Sequence, residues 1–229
     1  MNISIMSYFR NSGNYIQRYC NQVNELQILL SKGGHSLRLV LGYGDSTDGS
    51  DEALFESSLN GFDCTLIDVS HGGKYYGSVV DAERFRQLSF IGNRLWRQHR
   101  LDSDIVGLVE SDLIWSAHSV MSLLNAVEVG RSPVIVAPMV LHQSGVFYDT
   151  WAFRRGLRNF QERKPYHPAL LDDARYLQMD SVGSVFFTQY AFAKDFTFPE
   201  RDVVVGFCKQ AEARGAAIYL DKQTKVYHP

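Results

Sequence analysis

Three short apolar runs near the amino terminus, separated by stretches of helical periodicity, constrain this chain more than anything else in it. Residues 3–9, 37–43 and 64–69 are rich in strand-forming side chains. Between the first two, Ile16, Tyr19, Cys20, Val23, Leu26, Leu29 and Leu30 recur at spacings of three and four. That spacing predicts one apolar face of a helix over residues 15–30. Asn11-Ser12-Gly13-Asn14 can open this helix and Lys32-Gly33-Gly34-His35 close it. A second helix is predicted over about 51–60. Strand, helix, strand, helix, strand implies an α/β fold with a doubly wound, mostly parallel sheet and ligands at the carboxyl ends of its strands.

The alternation continues with a helix over 81–100, a strand over 105–109, a helix over 117–129 and a strand over 134–137. Beyond Pro138 the pattern is irregular. Strands return at 181–188 and 217–220, with a helix over 204–214. No repeat or linker interrupts it, so a single domain is expected over 1–229. It divides into a nucleotide-binding half, 1–115, and a more variable half, 116–229.

Composition excludes several function classes. The 229 residues are 45% hydrophobic and 21% charged, enough apolar side chain for a core and too much for a disordered chain. The formal net charge of −2 argues against a general polyanion binder, so contact with nucleic acid would need a local patch. Cys20, Cys64 and Cys208 have no metal-ligand spacing and read as thiols of a reducing compartment. No basic segment leads into a long apolar run, and no run approaches the ~18 residues of a membrane span. The expected location is the cytoplasm, or the host cytoplasm if the chain is phage-encoded.

Glu110-Ser111-Asp112 ends the apolar strand at 105–109. Two acids at i and i+2 on extended chain point the same way. At a strand's carboxyl end they can grip a hard divalent cation such as Mn2+ or Mg2+ together with a diphosphate. Gly44-Asp45-Ser46-Thr47-Asp48-Gly49-Ser50 forms a polar turn between the second strand and its helix. No P-loop, GxSxG or HExxH motif is present.

The turn at 44–50 resembles the "DGSTDGT" or "NDSTDGT" turn of GT-A glycosyltransferases of the family-2-like and mannosyltransferase-like kind. Glu110-Ser111-Asp112 stands where that superfamily keeps its DxD metal motif. Asn93-Arg94 matches its arginine-bearing helix, Tyr148 to Arg154 its "YDxxxxR" segment, and Val226-Tyr227-His228 its closing "xVxH". The resemblance implies a GT-A domain that moves a sugar from a nucleotide-diphosphate sugar to an acceptor hydroxyl. It implies Mn2+ or Mg2+ on Asp112 and His228. Tyr8, Phe9, Asn11, Asp45, Arg94, Glu110 and Ser111 would lie around the donor, while Asp48 and Gly49 shape the turn. A general base, if the reaction inverts, would come from Asp202, Asp149 or Glu200, with apolar Val203-Val204-Val205 in part of the expected acidic site. A retaining mechanism stays open.

Residues 151–167 carry five Lys or Arg against one Glu, with Trp151, Phe153, Phe160 and Tyr166 interleaved. Charge plus stacking suits a nucleotide acceptor. It suits a glycan or lipid-linked saccharide equally. Tyr148, Trp151, Arg154 and Arg155 are the candidate acceptor residues. Phage-type DNA-base glycosyltransferases act on hydroxymethylated pyrimidines, which makes such DNA one acceptor. A nucleotidyltransferase and a non-catalytic nucleotide-sugar-binding module are the rival readings.

Overall fold

The computed structural model describes residues 1–56, 59, 61–99, 102–130, 132–156, 158–159 and 173–229. The first half follows the predicted alternation: β1 (Asn2–Phe9), α1 (Gly13–Lys32), β2 (Ser36–Tyr43), α2 (Ser50–Glu56), β3 (Asp63–Asp68), α3 (Ala82–Trp96) and β4 (Ile105–Val109). Then come α4 (Ala117–Val129), β5 (Val134–His142), the short pair β6 (Arg154–Arg155) and β7 (Arg158–Asn159), and β8 (Tyr176–Gln178). The chain ends with β9 (Val185–Gln189), α5 (Tyr190–Ala193), α6 (Val203–Ala213) and β10 (Ala217–His228).

One eight-stranded sheet runs through both halves in the order β3-β2-β1-β4-β9-β5-β10-β8. β1, β2, β3 and β4 pair in parallel, as do β5 and β10, whereas β9 and β8 run antiparallel to their neighbours. The carboxyl ends of six strands therefore open on one edge. α1 packs against α2 and α4, and α3 packs against α6. Among the described residues no helix is long and apolar enough to cross a membrane.

Two strands outrun their predicted ends. β5 passes through Pro138 to His142, and β10 continues past Leu220 to His228. Proline has no N–H for the ladder, and β10 answers by bulging. Asp221 pairs with Pro138, and the next partner of Met139 is Lys225. The bulge is held by fully buried Asp221, which accepts from Thr224 Oγ1 (2.8 Å), Gln223 N (3.1 Å) and both Arg175 donors (2.8 and 3.0 Å). Beyond it the two strands resume pairing, and His228 arrives opposite His142.

β1 shows how the sheet divides its side chains. Successive residues face opposite ways. Tyr8 faces the open edge, while Phe9 turns into the core, where its ring meets Tyr19 edge-on at 5.0 Å. Ser7 ties three elements together: its hydroxyl donates to Val109 O (2.7 Å) and lies 2.8 Å from the Tyr19 hydroxyl. On the other face, Trp96, Phe186, Phe198 and Phe207 stack or meet edge-on, with Trp96–Phe207 and Phe198–Phe207 both at 4.9 Å. Each buried ring stabilises by about 1.5–3 kcal/mol. On the α1 side of the sheet, Gly107 in β4 leaves room for β9, because a Cβ there would sit 2.4 Å from the Phe187 ring.

His99 is buried with Nδ1 2.6 Å from Ser4 Oγ and its Nε2 without a partner. Burial, helped by the charge of Arg38, pushes its pKa down to about 3. The unfolded chain takes up this proton near pH 6.5, and the folded chain does not. Stability should therefore fall as pH drops below about 6.5, with His99 supplying ~1.4 kcal/mol per pH unit down to about pH 3. Urea titrations of wild type and His99→Gln between pH 7 and 4 check this. The variant's stability should depend less steeply on pH by one proton; equal slopes contradict it.

Candidate active site

The open edge of the sheet carries a cleft of about 540 Å3, within the range of a small-molecule site. Glu110, Ser111 and Asp112 line it. They do not continue the strand: Leu113 N donates to Glu110 O (3.4 Å), so the triplet turns. Strand periodicity is therefore not what aims the two acids. The turn is fixed by Glu110 N donating to Ser184 O (3.0 Å) and by a two-bond bridge between Ile114 and Tyr227 (2.7 and 2.8 Å). That bridge sews the loop after β4 to the end of β10. Asp112 Oδ2 consequently lies 3.0 Å from His228 Nε2. Tyr148 stacks on the His228 ring at 3.9 Å, and its hydroxyl lies 2.8 Å from Ser78 Oγ.

A third carboxylate joins them. Asp149 accepts from Ala152 N (3.1 Å) and from Ser184 Oγ (2.8 Å). Gly183 makes room for it, since a Cβ there would lie 2.4 Å from Asp149 Oδ2. Burial, and then the Asp112 and Asp149 charges, hold the Glu110 carboxyl well above the usual carboxylate range. Burial also raises Asp149, against its two donors. For His228, burial disfavours the charged ring, but the Asp112 carboxylate outweighs it and raises the pKa. Arg84 lines the same cleft and its charge opposes the rise at both Glu110 and Asp149.

Among the described residues no three ligating side chains converge as a ready-made metal cage. Even so, the site fits a divalent cation. Asp112 Oδ1 is buried and has no hydrogen-bond partner. The crowding of three carboxylates calls for positive charge. Asp112 and His228 are hard and intermediate ligands suited to Mn2+ or Mg2+, with diphosphate oxygens left to complete the shell.

Several expected site residues lie elsewhere. Phe9 is in the core. Arg94 is exposed, stacks over Phe90 at 5.9 Å and does not line the cleft; Arg84, ten residues earlier on α3, does. Asp45, at φ +53°, accepts from His71 N (2.8 Å) and Gly72 N (3.1 Å). Its carboxylate anchors the 70–80 segment rather than facing the cleft. Asn11 likewise binds Thr47 N (2.8 Å), although it also touches the cleft wall. Asp48 accepts from Gly13 N and Ser50 N (both 3.0 Å), joining the starts of α1 and α2, which is the turn-shaping role expected of it. Asp202 pairs with Lys209 and Glu200 is exposed; Val203 and Val204 line the cleft in their stead. Tyr8, Tyr148 and Trp151 line it, whereas Arg154 folds back over Trp151 (5.0 Å) and Arg155 sits on the β6–β7 hairpin away from it. Phe160, Tyr166 and the rest of 160–167 lie outside the described residues.

Two residues that sequence reasoning passed over hold the turn from behind. Arg18 and Gln22 lie one helical turn apart on α1. Arg18 donates to Asp112 O, and Gln22 donates to Leu113 O (3.2 Å) while accepting from Trp115 N (3.3 Å). A buried glutamine on an otherwise apolar helix face was the available signal. Gln22→Ala leaves a buried N–H and C=O unsatisfied, which should cost about 1–3 kcal/mol. It should also quicken hydrogen exchange at the Trp115 amide, in the turn before α4, more than at the amides of α1. Wild-type exchange at Trp115 in the variant would contradict this clamp.

No protein-family model matches the sequence, and no curated protein does. The fold does have solved counterparts. A mannosyltransferase from Pyrobaculum calidifontis, in complex with GDP-Man and Mn2+, superposes with a TM-score of 0.65 at 12% identity, over 98% of this chain and 56% of that one. Residues 1–349 of S. aureus TarS, in complex with UDP-GlcNAc, give 0.60 at 15% identity, over 99% and 58%. GalNAc-T7 with UDP, GalNAc and Mn2+ gives 0.57 at 11%, over 99% and 43%. The fold is thus the GT-A fold of glycosyltransferases. This chain spans a little over half the length of the first two.

Proposed function

We propose that this chain is a metal-dependent glycosyltransferase that moves a sugar from a nucleotide-diphosphate sugar to an acceptor hydroxyl. The observation that carries the reading is the meeting of Asp112, His228, Glu110, Asp149 and Arg84 in one cleft at the carboxyl ends of the strands. The solved proteins of this fold are described with GDP-Man, UDP-GlcNAc or UDP, and two of them with Mn2+.

Asp112 and His228 would hold Mn2+ or Mg2+, which when bound neutralises charge on the departing diphosphate. Tyr8 and Asn11 border the donor end, and Arg84 supplies a fixed positive charge near the reacting centre. In this reading Asp149 takes the acceptor proton. It lines the cleft, its orientation is fixed by Ala152 N and Ser184 Oγ, and burial raises its proton affinity. The partners are a nucleotide sugar and a glycan or lipid-linked saccharide. Hydroxymethylated DNA as acceptor rests on the 151–167 composition alone, and Arg154 is occupied with Trp151.

Thermal-shift titrations with UDP- and GDP-sugars should show stabilisation that requires Mn2+ and disappears in Asp112→Ala. Asp149→Asn should keep donor binding while lowering transfer by about 10²–10⁴-fold. No shift with any nucleotide sugar contradicts the reading. Salt-sensitive preference for hydroxymethylated over plain DNA, lost on changing Arg154 and Arg155, would establish the DNA acceptor; its absence removes it.

A further inference from the structure

The cleft runs along the open edge of the sheet, and the strand order sets its groups in sequence. Across β3, β2, β1, β4 and β9 the strand ends carry His71 just beyond β3, Tyr8 on β1, the Glu110–Asp112 turn after β4, and Ser184, which holds Asp149, before β9. All of these residues line one cleft. β3 lies three strand spacings from β4, about 14 Å. A donor whose diphosphate sits at Asp112 and whose sugar faces Asp149 therefore runs its nucleoside the other way, toward Tyr8 and His71.

That end of the cleft is rich in idle hydrogen-bond donors. Tyr8 Oη, Arg10 Nε, His71 Nε2 and Gln87 Nε2 are buried without a hydrogen-bond partner among the described residues, and all four side chains line the cleft. Arg10 Nε always carries a hydrogen. Gly73 N donates to His71 Nδ1 (3.0 Å), which leaves the proton of the neutral ring on Nε2; a charged ring carries one there too. Burial pushes the Tyr8 hydroxyl up to about 12, against the Arg10 charge, so it keeps its hydrogen. Gln87 sits beside His71, since a Cβ on Gly73 would stand 2.3 Å from Gln87 Nε2 and 2.7 Å from His71 Nδ1. The carboxylate and amide acceptors nearby are engaged: Asp45 by His71 N and Gly72 N, Asn11 Oδ1 by Thr47 N. Donors left in this state favour a ligand that brings acceptors.

Nucleobases differ in what they show such a wall. An amide presents a donor and an acceptor side by side whichever way it is turned, so Gln87 can pair with two adjacent edge atoms of uracil, cytosine or guanine. The third edge atom decides. In uracil, thymine and cytosine it is the O2 carbonyl, an acceptor for His71, Tyr8 or Arg10. In guanine it is the N2 amine, whose hydrogens would face those donors and find no partner. Adenine has only a C–H there. We propose that this end of the cleft selects a pyrimidine base, so that the donor is a pyrimidine-nucleotide sugar and not a purine one, with Gln87 and His71 determining the choice. The proposal rests on the glycosyl-transfer reading and names the substrate class of that same site.

Isothermal titration in the presence of Mn2+ with UDP, CDP, dTDP, GDP and ADP tests it. The three pyrimidine diphosphates should bind at least about tenfold tighter than GDP and ADP. In Gln87→Glu a carboxylate can accept from guanine N1–H and N2–H together, so GDP should gain on UDP. His71→Phe keeps a ring but loses Nε2–H, and the pyrimidine preference should shrink. A partly unfolded variant lowers the active fraction but leaves the UDP-to-GDP affinity ratio as it was, so the ratio separates recognition from damage. Equal affinity for pyrimidine and purine diphosphates overturns the proposal and leaves the transfer reading standing, as does a preference that both substitutions leave untouched. Binding of no diphosphate at all sinks the transfer reading and the base choice with it.

Discussion

The pairing of Ile114 with Tyr227 is the interaction on which the candidate site depends. Two backbone hydrogen bonds join the loop after β4 to the last residues of β10, elements more than a hundred residues apart in sequence. Without them Asp112 and His228 belong to unconnected strand ends. With them, a carboxylate and an imidazole meet at 3.0 Å over the edge of the sheet. The bulge at Asp221 is the enabling device, since it lets β10 pass Pro138 and still deliver His228 in register with His142. Arg18 and Gln22 brace the same turn from α1, so three separate parts of the chain converge on four residues.

The electrostatics follow from that geometry. Glu110, Asp112 and Asp149 crowd one wall of the cleft, and among the described residues Arg84 and His228 offset the charge at Glu110 and Asp149. Such a cluster is costly in a protein selected for stability alone. In the proposed reading a bound cation completes the charge balance. The 70–80 segment closes the other wall through Asp45, through the Arg10 guanidinium on Gly73 O (2.6 Å), and through Ser78 on Tyr148. Asp45, expected at the donor, thus holds instead a segment that lines the cleft.

Much of this was legible in the sequence, for identifiable reasons. Parallel strands buried on both faces read as continuous apolar runs, and α1 shows its face through spacing alone, so the first half of the fold follows from pattern. The extended course of β5 and β10 was hidden because Pro138 looks like a stop; only a compensating bulge in a distant strand lets the ladder continue. Asp112 and His228 were identified from resemblance and do meet, yet the turn that aims Asp112 is set by long-range bonds that no local periodicity reports. Phe9 and Tyr8 sit side by side in sequence and differ by face, which the strand's alternation decides. Arg94 and Arg84 occupy the same helix, and only the placement of α3 across the sheet tells which one enters the cleft. Asp202 was attractive by position, but Lys209, two turns along α6, takes its charge.

The central claim is that Asp112 and His228 together hold a divalent cation beneath a diphosphate. Crystals of the protein grown with Mn2+ and UDP or GDP, measured near the manganese absorption edge, test it directly. An anomalous peak bonded to Asp112 Oδ1 and His228 Nε2 at about 2.0–2.3 Å, with diphosphate oxygens in the remaining positions, is the predicted result. Manganese bound away from Asp112, or a nucleotide seated outside the cleft that holds Tyr8, Arg84 and Asp149, would contradict it.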